Sequence, residues 1–516
     1  MESIKNKKNF VVRKIHLIAI GFAFLLAACY KLDSPSAKIS MANGGYELAK
    51  KYCASCHLYP EPNLLDKKSW EQYLLPRMGN MLGVFSSPEQ REILVREHPK
   101  ILKRLYPAEP LLTKHEWDSI NEYYLSNAPI NIVAPIDSTI YTTSLPTFDL
   151  KVPDLNFSPP STTLLEFIDT GIVLGDAHTK KMFLLDENQN ILSVANTQEG
   201  AVSFRENSES FQVTVMGSFS PNDKEDGFIM SLPKRKNIAP AVEIENLRRP
   251  VHSAFGDLNN DGLEDVVVSE YGKWAGRLSL HFKQSDNTYK RTVLLNQTGP
   301  IKSEIFDYNK DGLPDIISLF GQGNEGFYLH TNQGDGKFTT KHIIRLSPSH
   351  GSSTFRLYDY NRDGNPDIIY TAGDNADFPS IYKPYHGLYV YLNNGSGGFK
   401  QSLFYPIAGA YAAEPADYDL DGDIDFAVIS FFPDFHLSPD LGFIYLENTD
   451  NGFIARSFPN AHLGCWIVMD AKDYDDDGDM DLVLGSLAFE VPNDSLYVNH
   501  WTAQGIPFIL LKNNTY

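Results

Sequence analysis

The stretch Asp473-Tyr-Asp-Asp-Asp-Gly-Asp-Met-Asp481 decides how this chain is read, because its pattern occurs five times. The others are Asp257-Leu-Asn-Asn-Asp-Gly-Leu-Glu-Asp265, Asp307-Tyr-Asn-Lys-Asp-Gly-Leu-Pro-Asp315, Asp359-Tyr-Asn-Arg-Asp-Gly-Asn-Pro-Asp367 and Asp417-Tyr-Asp-Leu-Asp-Gly-Asp-Ile-Asp425. Positions 1, 3, 5 and 9 are always Asp or Asn, and position 6 is always Gly. In such a curled loop alternate residues point inward and Gly supplies the sharp turn. Ca²⁺, a hard cation, gathers about six to eight oxygens in this way. Without a cation, carboxylates packed this closely would repel one another at physiological pH. An EF-hand needs a bidentate Glu late in the loop and a helix on each side, and neither is present. Each loop runs instead into a short apolar segment, such as Val266-Val-Val268 or Phe426-Ala-Val-Ile429. These are five expected calcium loops, each feeding a strand.

The expected ligands are Asp257, Asn259, Asp261 and Asp265 in the first loop, and Asp307, Asn309, Asp311 and Asp315 in the second. The third offers Asp359, Asn361, Asp363 and Asp367, the fourth Asp417, Asp419, Asp421 and Asp425, and the fifth Asp473, Asp475, Asp477 and Asp481. Together they hold 17 Asp, a large part of the formal net charge of −20. The acidity is metal-site chemistry, and it argues against binding nucleic acid through phosphates.

The loops begin 50, 52, 58 and 56 residues apart. A period in that range, about four strands per unit, signals a propeller or a related array. Later strands of the units also match. Phe327-Tyr-Leu-His-Thr-Asn-Gln-Gly-Asp-Gly-Lys-Phe338, Leu388-Tyr-Val-Tyr-Leu-Asn-Asn-Gly-Ser-Gly-Gly-Phe399 and Phe443-Ile-Tyr-Leu-Glu-Asn-Thr-Asp-Asn-Gly-Phe453 are each a strand, an Asn/Gly hairpin and a following Phe. Over 250–516 these loops and hairpins resemble the FG-GAP/VCBS repeats of integrin-like β-propellers.

Residues 161–248 lack the Asp loop yet keep a period of two, and about two more blades fit there. The propeller is therefore expected over 161–516, with about seven blades, five of them carrying calcium loops. The last unit, ending in Pro507-Phe-Ile-Leu-Leu-Lys-Asn-Asn-Thr-Tyr516, is one strand short. An open ring leaves exposed strand edges, so a strand from 145–165 is expected to close it.

The N-terminal side reads differently. Lys5, Lys7, Lys8, Arg13 and Lys14 precede an apolar run, Ile15–Ala28, that ends in Leu26-Ala-Ala-Cys29. A basic region, a short apolar core and small residues before the cut mark a secretory signal over 1–28. The ending resembles a bacterial lipobox, which implies cleavage before Cys29 and lipidation of its thiol. The mature protein is then exported and held at a membrane, with the outer membrane as the expected address. Residues 29–40 read as a tether.

Next comes Tyr52-Cys53-Ala-Ser-Cys56-His57. Cys-x-x-Cys-His on a helix places two thiols for thioether bonds to haem vinyls and an imidazole as axial ligand. A redox dithiol or half a zinc site are the rivals. There is no nearby second Cys/His pair for zinc and no βαβ pattern for a thioredoxin fold. The second axial ligand is expected from Met78 or Met81, with His98 as a third candidate. Met78 is preferred because it directly follows Pro-Arg after the apolar Trp70–Leu75 helix.

Ser87-Pro-Glu-Gln90 should open a helix that ends before Pro99, and Thr113-Lys-His-Glu116 is a capping box opening another. Residues 41–129 resemble a small class I cytochrome c, an all-α domain, which implies haem c held by Cys53, Cys56, His57 and Met78. Residues 130–160, rich in Pro, read as an extended linker. Cys465, in an apolar strand, reads as a core residue.

The loops following the strand after each Asp loop are unequal. Those at 373–386 and 431–439 are long and rich in aromatics and polar groups, and binding usually resides on such loops. The expected function is an anchored electron-transfer protein whose propeller docks a redox partner, a glycan or a protein ligand. The alternative is a propeller enzyme, either a quinone-dependent dehydrogenase or a polysaccharide lyase, with Glu270, Glu325, His386, His436 and Glu490 as candidate groups.

Overall fold

The computed structural model describes residues 39–132, 141–235, 238–374, 383–395, 397–435, 438–488 and 495–515. The leader with Cys29, most of the tether, His436 and Glu490 lie outside this range. Seven sheets succeed one another along the chain. Blade 1 comprises Thr162–Ile168, Gly171–Asp176, Lys181–Leu185 and Ile191–Asn196; blade 2 comprises Glu199–Glu206, Ser210–Gly217, Gly227–Pro233 and Ala241–Leu247. Blade 3 is built from Pro250–Gly256, Asp265–Glu270, Arg277–Lys283 and Tyr289–Leu295. Pro300–Phe306, Asp315–Phe320, Gly326–Asn332 and Phe338–Arg345 make blade 4. Ser352–Tyr358, Asp367–Ala372, Gly387–Asn393 and Phe399–Pro406 make blade 5. Blade 6 holds Ala410–Ala416, Asp425–Ser430, Phe443–Glu447 and Ile454–Arg456, and blade 7 holds Trp466–Lys472, Asp481–Ser486 and Phe508–Asn513.

Each innermost strand packs on the innermost strand of the next blade, and Trp466–Lys472 of blade 7 packs on Thr162–Ile168 of blade 1. The ring is closed, and the architecture is a seven-bladed β-propeller. The missing strand of blade 7 is Phe148–Lys151, paired antiparallel with Phe508–Asn513 from Phe148↔Asn513 to Lys151↔Leu510. A second piece of the same region, Tyr141–Thr142, adds in parallel to Ile454–Arg456 of blade 6. The Pro-rich stretch is thus more than a linker. Its prolines bracket short Pro-free segments, and the open edges of blades 6 and 7 recruit these as strands.

Apolar burial explains the strand pattern. The strand after each Asp loop is buried along its whole length, because neighbouring blades cover both faces. Ile369, Leu388 and Val390 of blade 5 pack against Phe426, Val428 and Ile444 of blade 6. Each such side chain contributes about 1.5–3 kcal/mol.

The innermost strands present unpaired backbone groups to the axis, and charged side chains of adjacent blades cover some of them. The Asp470 carboxylate accepts the Phe167 N–H (2.9 Å), Glu304 accepts that of Leu357 (3.1 Å), and Lys302 donates to the Phe355 carbonyl (2.8 Å). Arg356 bridges Glu414 (2.6 Å) and Asp470 (3.4 Å). Glu166 belongs to this group. Burial, then the negative charge of Asp470, pushes its carboxyl up to about 8 from 4.5. An acid raised on folding contributes stability that is complete below 4.5 and is lost as pH rises through 8. Glu166→Gln is therefore expected to stabilise the propeller by about 2–4 kcal/mol at pH 9 and to be near neutral at pH 4. Urea midpoints at the two pH values check this, and equal effects at both would contradict it.

In the N-terminal unit, helix Ile39–Cys53 crosses helix Lys114–Asn127. A Cβ at Gly45 would lie 2.6 Å from the Ser119 carbonyl oxygen and 2.7 Å from the Tyr123 Cβ, so this close crossing requires glycine there. Ala49, Leu65, Trp70, Leu75, Ile120 and Tyr124 form the core. The Thr113/Glu116 capping box is present. Ser87 makes no side-chain cap; instead Gln90 Oε1 accepts from the Ser86 N–H (2.6 Å) and Oγ–H (2.8 Å). Pro99 opens a further helix, Pro99–Leu105, because proline's fixed φ suits a first turn. Trp70–Leu74 is a π-helical turn leading into helix Leu75–Met81. Helix Ser495–Gln504 interrupts blade 7 and sends Trp501 into a cluster with Phe431 and Cys465, which is buried. Among the described residues no helix is long and apolar enough to cross a membrane.

Candidate functional site: acidic loops, the thiol–imidazole motif and the covered face

The five acidic loops share one geometry. Position 4 is left-handed in every one, at Asn260, Lys310, Arg362, Leu420 and Asp476, with φ between 58° and 62°. Five non-Gly residues in this costly conformation, at one loop position, mark a built feature. At position 1, Asp257 accepts the Asp261 N–H (3.1 Å) and the Gly262 N–H (2.8 Å), and Asp307 and Asp359 repeat this. Asp417 departs from the pattern, since its Oδ1 is buried with no hydrogen-bond partner.

At position 9, Asp265, Asp315, Asp367, Asp425 and Asp481 each accept backbone N–H groups on both carboxylate oxygens, and each oxygen keeps a further lone pair that a cation can use. Asp315 Oδ2 accepts from Tyr308 (3.0 Å) and Oδ1 from Asn332 (2.7 Å), and Asp425 takes Tyr418 (3.2 Å) and Asn448 (2.7 Å). The residue buckles the loop onto the third strand of its blade. Burial pushes Asp425 up to about 7 and Asp481 to about 6, so both need nearby positive charge to stay ionised cheaply.

Positions 1, 3 and 5 do converge. Asp417, Asp419 and Asp421 offer carboxylate oxygens within 4.8 Å of one another, and so do Asp473, Asp475 and Asp477. Where position 3 is Asn, its amide donates to the position-5 carboxylate, as from Asn259 to Asp261 (3.0 Å), and Asn309 and Asn361 do the same. In the fifth loop the Lys512 ammonium bonds Asp475 and lies 4.0 Å from Asp477.

The thiol–imidazole motif closes helix Ile39–Cys53. Cys53 is buried, Cys56 is exposed, and burial pushes the Cys53 thiol up to about 11. His57 Nδ1 lies 2.8 Å from the Leu58 carbonyl oxygen. A carbonyl only accepts, so Nδ1 carries the proton and the Nε2 lone pair is left for a ligand. The following segment is pinned. Tyr124 O–H donates to the Pro60 carbonyl and Trp70 Nε1–H to that of Pro62, both at 2.8 Å. Met78 packs against the cluster that contains Cys53, whereas Met81 is 40% exposed. His98 takes the N-cap position of helix Pro99–Leu105.

The helical unit sits on the loops that join second to third strands, the face expected to bind ligands. Trp274 of blade 3 packs among Val95, Leu102 and Tyr106, and Lys273 pairs with Glu97 (2.5 Å). From blade 5, Tyr385 donates its hydroxyl hydrogen to the Leu64 carbonyl (3.0 Å). Part of that face is therefore covered within the chain itself.

The candidate groups on these loops divide. Glu270 is structural, accepting from Arg277 (2.7 Å), Ser279 (2.7 Å) and the Arg248 N–H (2.8 Å). Glu325 lies within electrostatic reach of Lys383 and Asp374, and His386 within reach of Lys383 and His350, three residues missed from sequence. Glu325 Oε1 accepts the Ser352 N–H (2.8 Å), while its Oε2 is buried without a partner, as are His350 Nε2 and His386 Nε2. Lys383 and Asp374 form a buried pair at 2.9 Å. The available signal was His350-Gly351, a polar residue before a turn glycine that opens the next blade.

Over 192 residues the chain is 27% identical to a T-cell immunomodulatory protein homolog of Plasmodium falciparum (isolate 3D7), covering 34% of this chain and 24% of that protein. A homolog of the same description from Plasmodium yoelii yoelii is 28% identical over 174 residues, covering 29% and 24%. The chain thus spans about a quarter of the length of these relatives. A chain in the structure of S. cerevisiae dbp5 bound to nup159, gle1, ip6 and adp superposes with a TM-score of 0.42 at 9% identity, covering 73% of this chain and 98% of that one. One in a BBS1N complex with ARL6DN gives 0.40 at 11%, covering 73% and 99%. Residues 307–370, which hold the whole of the second and third loops, match the model of the FG-GAP-like repeat.

Proposed function

We propose that this chain is an exported, lipid-anchored c-type cytochrome whose calcium-stabilised propeller binds a protein partner or another ligand. The observation that carries the cytochrome half is the Cys53, Cys56 and His57 set, with His57 Nε2 free of its own backbone and Met78 packed against the core cluster that contains Cys53. That donor set suits haem c, which supplies one-electron transfer when bound. Cys53 and Cys56 would hold it by thioethers, and His57 Nε2 and Met78 would be its axial ligands. The propeller half rests on the repeat itself and on its rigid ring of loops. The redox partner, the lipid on Cys29 and the outer-membrane address belong to the same proposal. Ca²⁺ would sit among positions 1, 3 and 5 of the five loops, where oxygens converge.

Expression with a haem-maturation system tests this. Wild-type protein should carry covalent haem, and Cys53→Ala with Cys56→Ala should abolish it. Met78→Ala should convert the iron from low-spin to high-spin while Met81→Ala leaves it low-spin. Haem-free wild-type protein, or the reverse pattern for the two Met variants, would sink the assignment. The enzyme reading is kept because Glu325 and His386 are both buried on second-to-third-strand loops of neighbouring blades. Haem reduction by added sugars or alcohols, with or without pyrroloquinoline quinone, would favour it over the carrier.

A further inference from the structure

The outer strands of the seven blades are not protected alike. Glu243 lies on that of blade 2, Arg291 on blade 3, Lys341 on blade 4 and Lys400 on blade 5. The outer strand of blade 6 is covered by Tyr141–Thr142, and Phe148–Lys151, which completes blade 7, carries Asp149. Charge at a sheet edge discourages another chain from adding to it. Blade 1 ends in Ile191-Leu-Ser-Val-Ala-Asn196, which has no charge at all. Its apolar side chains face solvent, with Ile191 45% exposed, Leu192 56% and Val194 49%. Among the described strands it pairs with Lys181–Leu185 alone. The inner side fixes the backbone. Met182 pairs with Ala195 and Leu184 with Ser193, and the Thr197 N–H donates to the Lys180 carbonyl (3.0 Å). Antiparallel ladders alternate, so the N–H and C=O of Val194 and Asn196 point away from the blade.

Three neighbours can be weighed by chemistry. A bilayer would leave the outward N–H and C=O groups unsatisfied in hydrocarbon. A charged partner finds no counter-charge on the strand. An uncharged strand meets both demands, and the ring already takes up added strands twice, at blades 6 and 7. We propose that the outer strand of blade 1 pairs antiparallel with the same strand of a second copy, about a two-fold axis at Val194. Val194 then exchanges both backbone hydrogen bonds with Val194 of the second copy, and Leu192 packs diagonally on it. The two four-stranded blades become one continuous sheet. Such a contact uses the same patch on both copies, and the other edges are charged or covered, so assembly stops at a dimer. One six-residue strand buries less than the roughly 800 Å² per partner of a stable complex, so the dimer is weak in dilute solution. The inference goes beyond the reading above and needs neither haem nor calcium.

The test uses the full chain. In sedimentation equilibrium its average mass should rise towards that of a dimer between about 10 µM and about 1 mM. Val194→Lys, a change at an exposed position, should hold the mass at the monomer and leave the melting temperature unchanged. A hydrogen-bonded antiparallel pair stands about 5.5 Å apart at Cα, within disulfide reach. Mild oxidation should therefore link two copies of Val194→Cys at least tenfold faster than two copies of Thr340→Cys, on the outer strand of blade 4. Ser193→Cys and Ala195→Cys, mixed, should link to each other faster than either links to itself, because the axis sets these positions opposite. Peptide mass spectrometry separates such links from any made by exposed Cys56. A monomer at every concentration, species larger than a dimer, or linkage at 340 as fast as at 194 would overturn the proposal.

Discussion

Asp315→Ala is expected to destabilise the propeller by about 3–5 kcal/mol, and to do so equally with and without calcium. The side chain is fully buried, and its two oxygens take the backbone N–H groups of Tyr308 and Asn332. Removing it orphans both donors, each at a cost of about 1–3 kcal/mol, and opens a small cavity. Asp311→Ala, at position 5 of the same loop, is exposed and should cost little in a chelator but reduce stabilisation by added Ca²⁺. Urea unfolding of the two variants in Ca²⁺ and in EGTA separates the roles. If the Asp315→Ala penalty disappeared in EGTA, position 9 would act through the cation and the buckle argument would fail.

The second large effect concerns the cation. A ligand that binds only the folded state at a hundred times its dissociation constant adds about 2.7 kcal/mol per site. With several such loops on one ring, chelation should lower the melting temperature of the propeller by about 10 °C or more. The proposed haem, if bound, should keep its spectrum, because the loops feed strands of the propeller and the thiol–imidazole motif lies in the helical unit. An unchanged melt in excess EDTA would refute the loop chemistry. The fifth loop should be the weakest contributor, because Lys512 already places an ammonium against Asp475 and Asp477.

Much of the ring was readable in order of residues. The glycine at position 6 and the alternating acids made the loops visible, and the spacing of loops and hairpins made the blades countable. The missing strand of the last unit points to a closing strand from 145–165, and Phe148–Lys151 supplies it, although its own pattern is too short to fix its bounds. Tyr141–Thr142 and helix Ser495–Gln504 were not foreseen. Neither has enough periodic residues to outweigh its flanking prolines or the β pattern around it.

The site residues divide on the same physical line. Spacing within a few residues determined the acidic loops, the Cys53–Cys56–His57 motif and the capping box at Thr113, because backbone geometry over one turn is local. Tertiary structure decided which oxygen of a loop faces outward and which is taken by backbone 17–32 residues later, as with Asp315 and Asn332 or Asp481 and Asn513. It also decided that Glu270 is buttressed while Glu325 and His386 are buried with unpartnered atoms, and that the helical unit covers part of the loop face. Those contacts need strands to pair within a blade, neighbouring blades to pack and one unit to seat on the other, none of which a short stretch of sequence specifies.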